Sequence, residues 1–184
     1  MTIKKMVIDE IISRMEKYPS YNLVIMGHSF GAAIAAIMAS NIAVGSLGPK
    51  FSPSKIELVT FGSSRVGNKY FAESIDGAGF ADVARIVHST DILPHIAPMR
   101  LGYQHYKGEV WLSSVSKKWV TCDDRDPKNP GEALNCANSI GTFHVSRITH
   151  SNYWSRTRDN LCMIHMSSKP MEVIFLPKFG LIKY

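Results

Sequence analysis

The sequence lacks the features of several protein classes. No apolar run reaches about 18 residues, the length that a membrane-spanning helix needs, so we expect no transmembrane segment. Residues 1–19 carry acidic side chains among their apolar ones and have no unbroken apolar core, which excludes a signal peptide there. Lysine and arginine never run longer than a pair, so the net charge of +6 predicts a solvated basic surface. With no nucleic-acid-binding motif present, we expect no nucleic-acid partner.

The chain also lacks a recognised metal-ligand spacing. His88, Asp91 and His95 lie close together in sequence but match no known ligand pattern, and we expect neither a metal nor a cofactor. What is present is ordinary for a soluble globular domain: 184 residues, 45% of them hydrophobic and 20% charged. A chain of this length buries a sizeable core as one domain.

The most informative stretch is residues 21–40. A β-compatible apolar run, Leu23–Met26, leads into Gly-His-Ser-Phe-Gly at 27–31, and an alanine-rich helix pattern follows. A strand, a G-x-S-x-G turn and a helix together form a nucleophile elbow, in which the serine is held at the carboxyl edge of a parallel sheet. Ser29 is therefore the candidate nucleophile, and the backbone N–H of Phe30 is the candidate oxyanion donor. The alternative is a glycine turn with an idle serine, since the motif alone recurs by chance.

The rest of the chain alternates helix and strand patterns, which favours an α/β fold with a mostly parallel sheet and helices on both faces. Ligands of such sheets bind at the carboxyl ends of the strands. In chain order we predict a helix that ends before Pro19, the strand and helix of the elbow, a strand at 55–61, a helix at 69–75 and a strand at 83–88.

Asp91 comes just after the third predicted strand, at the edge of the sheet where Ser29 is expected. An acid that orients a catalytic histidine belongs at this place, and the chain order serine, aspartate, histidine is the order that accompanies a nucleophile elbow. The alternative is a turn aspartate that caps nearby backbone.

The base is harder to choose, because the chain has seven histidines. Four of them lie inside the elbow, on the third strand or too close behind Asp91 to reach back to Ser29. The other three follow a polar loop at 123–131: His144, His150 and His165. Spacing alone leaves the choice between His144 and His150 open.

Five segments resemble those of the fungal-type class 3 lipases, the family of filamentous-fungal triacylglycerol lipases and feruloyl esterases. They span about 21–162 and read GHSFGAA, VTFGSSRVGN, ARIVHSTDILPHIAP, GYQHYKGEVW and, at 136–139, CANS. In this family the catalytic histidine is followed three residues later by an aromatic residue. His150 with Tyr153 fits that rule, whereas His144 does not. The resemblance therefore implies a Ser29–Asp91–His150 triad.

The same resemblance implies a serine carboxylic ester hydrolase of lipid metabolism, similar to a triacylglycerol lipase, that works without a cofactor. Its partner would be a lipid or ester substrate, met at a lipid–water interface by a monomeric, secreted protein. Three residues depart from the family pattern: Phe30 replaces a leucine, Ala32 a glycine and Ser64 a proline. None of these changes removes a catalytic atom, although each can reshape the elbow or the acyl pocket.

The domain prediction is one incomplete α/β-hydrolase domain over 1–184, with an extra tail at 163–184. In the family, several strands, the lid and a second oxyanion donor precede the region matched here, so the chain resembles the C-terminal two-thirds of a lipase, as in a truncated gene model, a splice form or a fragment. Loss of one oxyanion donor costs about 3 kcal/mol of transition-state stabilisation. The alternative function is a non-catalytic fragment or pseudoenzyme that binds lipid or a partner protein.

The family commonly bridges a cysteine pair comparable to Cys122 and Cys136, so the resemblance implies a disulfide that closes the loop between them. Closing a loop of this length adds about 3 kcal/mol to the free energy of unfolding, because the bridge lowers the entropy of the unfolded chain. Cys162 is then left without a partner, and we predict that it is unpaired. The alternative is three free thiols in a reducing compartment.

Overall fold

The computed structural model describes residues 2–45, 47–48, 51–122, 132–140 and 144–153. The polar loop at 123–131, Cys162, His165 and the predicted tail at 163–184 lie outside the described residues.

The chain begins with the predicted amphipathic helix, α1, which spans Ile3–Lys17. Thr2 caps its first turn by accepting a hydrogen bond from the Lys5 backbone N–H. Basic side chains in the last turn complement the negative end of the helix dipole. Its apolar stripe packs against the start of the first strand and the end of the second helix, in a cluster formed by Ile8, Ile11, Met15, Leu23, Ile42, Leu47 and Ile56.

A five-stranded sheet forms the centre of the fold, with strand order β1-β2-β4-β6-β7. The first four strands of that order are parallel, and only β7 runs antiparallel to its neighbour. The two remaining strands, β3 and β5, form a separate antiparallel pair. The strands are β1 (Leu23–His28), β2 (Ile56–Phe61), β3 (Gly67–Asn68), β4 (Asp82–His88), β5 (Tyr103–Gln104), β6 (Glu109–Leu112) and β7 (Trp119–Thr121). The prediction of a mostly parallel α/β sheet is confirmed.

Two further long helices, α2 (Phe30–Ala43) and α3 (Lys69–Asp76), pack on the sheet. Four alanines of α2 are at most 5% exposed, which lets this helix lie close to β1 and β2: Ala32, Ala35, Ala36 and Ala39. The alternate β2 residues Ile56 and Leu58 point to one face of the sheet, where Ile56 clusters with side chains of α1 and α2 and Leu58 with side chains of α2 and α3. Within the described residues these three helices therefore share one face of the sheet.

Two buried ion pairs lie at the sheet. Arg65, in the loop after β2, donates from Nε and Nη2 to the two carboxylate oxygens of Glu132, at 2.7 and 2.8 Å. Arg85 on β4 donates to Glu109 on β6 at 2.8 Å, and Glu109 also accepts from the Ala137 N–H at 2.9 Å. Removal of one partner from a buried pair leaves an uncompensated charge, at a cost of about 3–5 kcal/mol. The segment at 132–140 is therefore held to the sheet through both glutamates.

A disulfide joins Cys122, at the end of β7, to Cys136 in the same segment. Cys136 is fully buried, and Cys122 is nearly so. The bridge is the one that the family resemblance implies, and it holds β7 and residues 132–140 together.

The stability of this fold should decline in mild acid because His105 is buried as a neutral side chain. Burial, followed by the nearby charge of Arg85, holds the pKa of His105 well below its usual value of 6.5. The unfolded chain therefore binds a proton at His105 more readily than the folded protein does. As the pH falls below 6.5, the free energy of unfolding should decrease by at most about 1.4 kcal/mol per pH unit.

His105→Gln tests this prediction. A glutamine amide keeps a donor near the position from which His105 Nε2 bonds to the Pro94 carbonyl at 2.9 Å, but it does not titrate. Thermal unfolding between pH 7 and pH 5 should show a shallower loss of stability in the variant. Equal slopes in the two proteins would mean that His105 is not the group responsible.

Candidate active site

Ser29 lies between β1 and α2 in a conformation that non-glycine residues rarely adopt, with φ 59° and ψ −127°. Such backbone strain costs about 1–3 kcal/mol and persists only where the surroundings enforce it. The Ser29 N–H donates to the Phe61 carbonyl at 3.0 Å, and the Ser29 carbonyl accepts from Ala32 N at 3.0 Å. The strand and the helix thus hold the predicted elbow from both sides.

The two glycines of the G-x-S-x-G motif differ in the space around them. A Cβ at Gly27 would lie 2.3 Å from the backbone oxygen of Gly31, so the strand and the helix approach too closely there for any side chain. A Cβ at Gly31 would meet nothing within 4 Å. Only the first glycine is therefore required for space.

Gly27→Ala should destabilise the protein by about 3 kcal/mol, because a backbone oxygen cannot move out of the way as a flexible side chain can. Gly31→Ala is the matched control. It should be neutral or stabilising, since alanine is favoured over glycine in a helix by about 1 kcal/mol. Urea unfolding of both variants measures the difference, and equal losses of stability would refute the packing argument.

His150 connects the serine to the aspartate. Its Nε2 lies 2.7 Å from Ser29 Oγ, and its Nδ1 lies 2.9 and 3.1 Å from the two carboxylate oxygens of Asp91. Asp91 is fully buried, and the His150 side chain is 14% exposed. A carboxylate can only accept, so Nδ1 carries a proton and leaves Nε2 free to accept from the serine hydroxyl. The arrangement can move a proton away from Ser29 Oγ.

Two further donors complete the surroundings of Asp91. The Tyr153 hydroxyl donates to Oδ2 at 2.6 Å, and the Leu93 N–H donates to Oδ1 at 2.8 Å. The same hydroxyl accepts from the His88 backbone N–H at 3.0 Å. Burial and the charge of Asp91 raise the pKa of Tyr153, so the hydroxyl stays protonated as a donor. In the sequence, Tyr153 marks the histidine that the family resemblance favours, but nothing there indicates its hydrogen bond to Asp91.

The candidate base, His150, lies on α4, a single turn over Arg147–His150. So short a helix has little stability of its own. Ser146 caps it and pairs through its backbone N–H with the Thr90 carbonyl at 2.7 Å. The side chains of Thr90 and Thr149 are hydrogen-bonded at 2.9 Å, and His88 Nδ1 donates to the Thr149 carbonyl at 3.1 Å. The segment around Asp91 thereby holds the histidine in place.

Gly62, which follows β2, makes room for the same pair of side chains. Its φ is +57°, and a Cβ there would lie 2.7 Å from Asp91 Oδ2 and 3.0 Å from His150 Nδ1. The glycine of the TFG segment is thus required both for its backbone conformation and for space beside the histidine–aspartate pair.

The remaining candidates are placed as follows. Phe30 is the first residue of α2, where a backbone N–H has no acceptor within the helix, and its role as oxyanion donor stays a prediction. His144 is exposed, and His105 is buried against the Pro94 carbonyl. Among the described residues, the only group of three or more His, Cys, Asp or Glu side chains close enough to share a metal ion is Glu109, Cys122 and Cys136, and the two cysteines form the disulfide.

Tyr153→Phe removes one donor from Asp91 and leaves the His88 N–H without that acceptor. We expect a loss of about 1–3 kcal/mol in the free energy of unfolding. A roughly tenfold slower reaction of Ser29 with a fluorophosphonate should accompany it. Tyr70→Phe is the control, because Tyr70 is 77% exposed. Equal effects of the two substitutions would show that the Tyr153 hydroxyl does not support the site.

A mostly parallel sheet with a serine on a strand–turn–helix elbow, next to a hydrogen-bonded histidine and aspartate, defines the α/β-hydrolase class. The family model described as Lipase (class 3) matches residues 1–101, and the chain belongs to this family.

Curated relatives extend the similarity beyond the 101 residues of the family model. The chain is 30% identical over 141 residues to a lipase of Rhizopus niveus, a match that covers 77% of this chain and 34% of the relative. It is 32% identical over 144 residues to a lipase of Rhizomucor miehei, which covers 78% of this chain and 38% of the relative. The chain thus spans about a third of the length of these relatives.

Solved structures agree with the fold. The Rhizomucor miehei triacylglyceride lipase is 29% identical with a TM-score of 0.70, and the match covers 82% of this chain and 54% of that one. A triacylglycerol lipase whose catalytic centre is a serine protease triad is 31% identical with a TM-score of 0.67, over 79% of this chain and 52% of that one. In the part of the chain that the structure describes, no helix could cross a membrane.

Proposed function

We propose that this chain carries the catalytic triad of a serine carboxylic ester hydrolase that acts on lipids, as triacylglycerol lipases do. The observation that supports it most is the unbroken line of hydrogen bonds from Ser29 Oγ through His150 to Asp91, with contacts of 2.7 and 2.9 Å. The membership in the class 3 lipase family and the likeness to triacylglycerol lipase structures agree with it.

The proposed reaction has two halves. Ser29 Oγ attacks the ester carbonyl while His150 Nε2 takes its proton, and the oxyanion of the tetrahedral intermediate is stabilised by the Phe30 N–H. His150 then gives the proton to the leaving alcohol, which departs as the acyl-enzyme forms. A water molecule, deprotonated by His150, attacks the acyl group and releases the acid with Ser29 restored. Asp91 keeps Nδ1 protonated and stabilises the imidazolium in each half.

Exposed apolar side chains next to the serine and the histidine in the sequence support an apolar ester as the substrate. Phe30 follows Ser29 directly and is 78% exposed, and Ile148 precedes His150 by two residues and is 77% exposed. Exposed apolar side chains beside a reactive serine favour acyl chains or a lipid–water interface over a polar substrate.

We further propose that the protein acts outside the cell as a monomer. Relatives that include a secreted mono- and diacylglycerol lipase A of Penicillium cyclopium support an extracellular location, as does the Cys122–Cys136 disulfide, since such bridges persist in oxidising surroundings.

Ser29→Ala tests the proposed function. The unmodified chain should react with a fluorophosphonate probe and hydrolyse a short-chain nitrophenyl ester, whereas the variant should lose the label and at least about 10³-fold of its turnover. Ser20→Ala, at an exposed serine in the turn before β1, is the control and should behave as the unmodified chain does.

Equal labelling with and without Ser29 would refute the mechanism. Labelling of Ser29 with no ester turnover would instead indicate a chain that keeps the activated nucleophile without a working oxyanion site.

A further inference from the structure

His28, the middle residue between Gly27 and Ser29, contacts the candidate base in two ways. Its ring stacks on the ring of His150, with centroids 4.7 Å apart and planes inclined by 21°. Its Nε2 lies 3.1 Å from the backbone carbonyl oxygen of His150. The residue before the nucleophile therefore holds both the side chain and the main chain of the histidine that would activate the nucleophile.

The hydrogen bond fixes the tautomer of His28. A carbonyl oxygen can only accept, so Nε2 must carry a proton. The groups that face His28 are the His150 ring of α4, the Asp91 carboxylate after β4 and the Tyr153 ring, edge-on at 5.3 Å. Burial is the largest influence on the pKa of His28 and lowers it below its usual value of 6.5; the hydrogen bond to the His150 carbonyl and the charge of Asp91 raise it, and the charge of His150 lowers it. The net direction favours the neutral ring at pH 7, in which case an imidazolium formed at His150 meets no second positive charge in the stacked ring.

The stack supplies a restraint that the hydrogen bonds of His150 do not. Its bonds to Ser29 and Asp91 hold the two ring nitrogens, but they leave the ring free to tilt about the line that joins those atoms. A flat neighbour against one face removes this tilt. It also keeps water away from that face, where water would favour the charged ring.

Neighbouring residues do not replace the stack. Tyr153 meets the His150 ring edge-on, with centroids 6.3 Å apart and planes inclined by 82°. The one-turn helix α4 provides little rigidity, and its other ties to the Asp91 segment act on its backbone and on Thr149.

We propose that His28 is a positioning residue, which sets the tilt of the His150 imidazole and shields one face of it through a neutral stacked ring and an Nε2–H bond to the His150 carbonyl. The proposal rests on the proposed function in that His150 acts as the general base. It assigns to the first variable position of the G-x-S-x-G motif a role in catalysis without contact with the substrate.

Three substitutions separate the two contacts of His28. His28→Phe keeps a stacked ring without the N–H, His28→Gln keeps an amide N–H at similar reach without the ring, and His28→Ala removes both. We expect kcat for a nitrophenyl ester, per site titrated with fluorophosphonate, to fall about 10- to 100-fold in His28→Ala, with KM within about twofold. The kcat values of His28→Phe and His28→Gln should lie between those of the unmodified chain and of His28→Ala. His144→Ala is the matched control at an exposed histidine and should leave kcat unchanged.

The pH–rate profile adds a readout that a merely structural role would not move. Water admitted beside His150 in His28→Ala favours the protonated ring, so the acidic limb of the kcat/KM profile should move to higher pH. In His28→Phe the ring face stays covered, and the limb should stay in place. An unchanged kcat per titrated site together with an unmoved limb in His28→Ala would overturn the proposal.

Long-range ¹⁵N–¹H spectra of the histidine side chains test the proposal without turnover. His28 should be the Nε2–H tautomer, neutral at pH 7, and the downfield signal of the His150 Nδ1 proton should broaden in His28→Ala. An Nδ1–H tautomer for His28 would overturn the proposal. If the unmodified chain shows no turnover, the proposed function fails, and these spectra still decide the contact between the two histidines.

Discussion

The geometry of the site depends on the need of one buried carboxylate for hydrogen bonds. Asp91 is fully buried, and an ionised carboxylate in that position is tolerable only with several donors around it. Three donors come from three places in the chain: the His150 ring, the Tyr153 hydroxyl and the Leu93 backbone. The loop after β4, the one-turn helix α4 and the residues beyond it are thereby brought to a single point. His150 is held in place because its Nδ1–H is one of the donors that the buried Asp91 carboxylate needs.

The sequence was sufficient for the parts of the fold that local patterns encode. The strand and helix around Ser29 follow from an apolar run, two glycines and an alanine-rich stretch, and Asp91 follows from its place after a strand. By contrast, spacing could not choose between His144 and His150, because contacts between residues far apart in the chain place α4. The family's aromatic rule favoured His150, and His150 lies within hydrogen-bond distance of Ser29 and Asp91.

The least predictable features are the charged residues inside the sheet. Arg85 on β4 and Glu109 on β6 are almost wholly buried, although an apolar pattern predicts that charged residues are exposed. The strand at 83–88 was predicted in spite of Arg85, but its buried ion pair was not. β6 and β7 were not predicted, and each is four residues long or shorter. Likewise, nothing in a single sequence indicates that His28 stacks on His150, since 122 residues separate their backbones. Such contacts become visible only when the pairing of the strands is known.

The strained backbone at Ser29 affects which residue is favoured at this position. A backbone with φ 59° and ψ −127° costs glycine little conformational energy but is strained for serine. Selection for stability alone would favour glycine here and would relieve about 1–3 kcal/mol. In a chain that is no longer selected for catalysis, a single substitution of Ser29 by glycine would remove this strain. Under the proposed function, Ser29 therefore gains its reactivity at a cost in the stability of the fold.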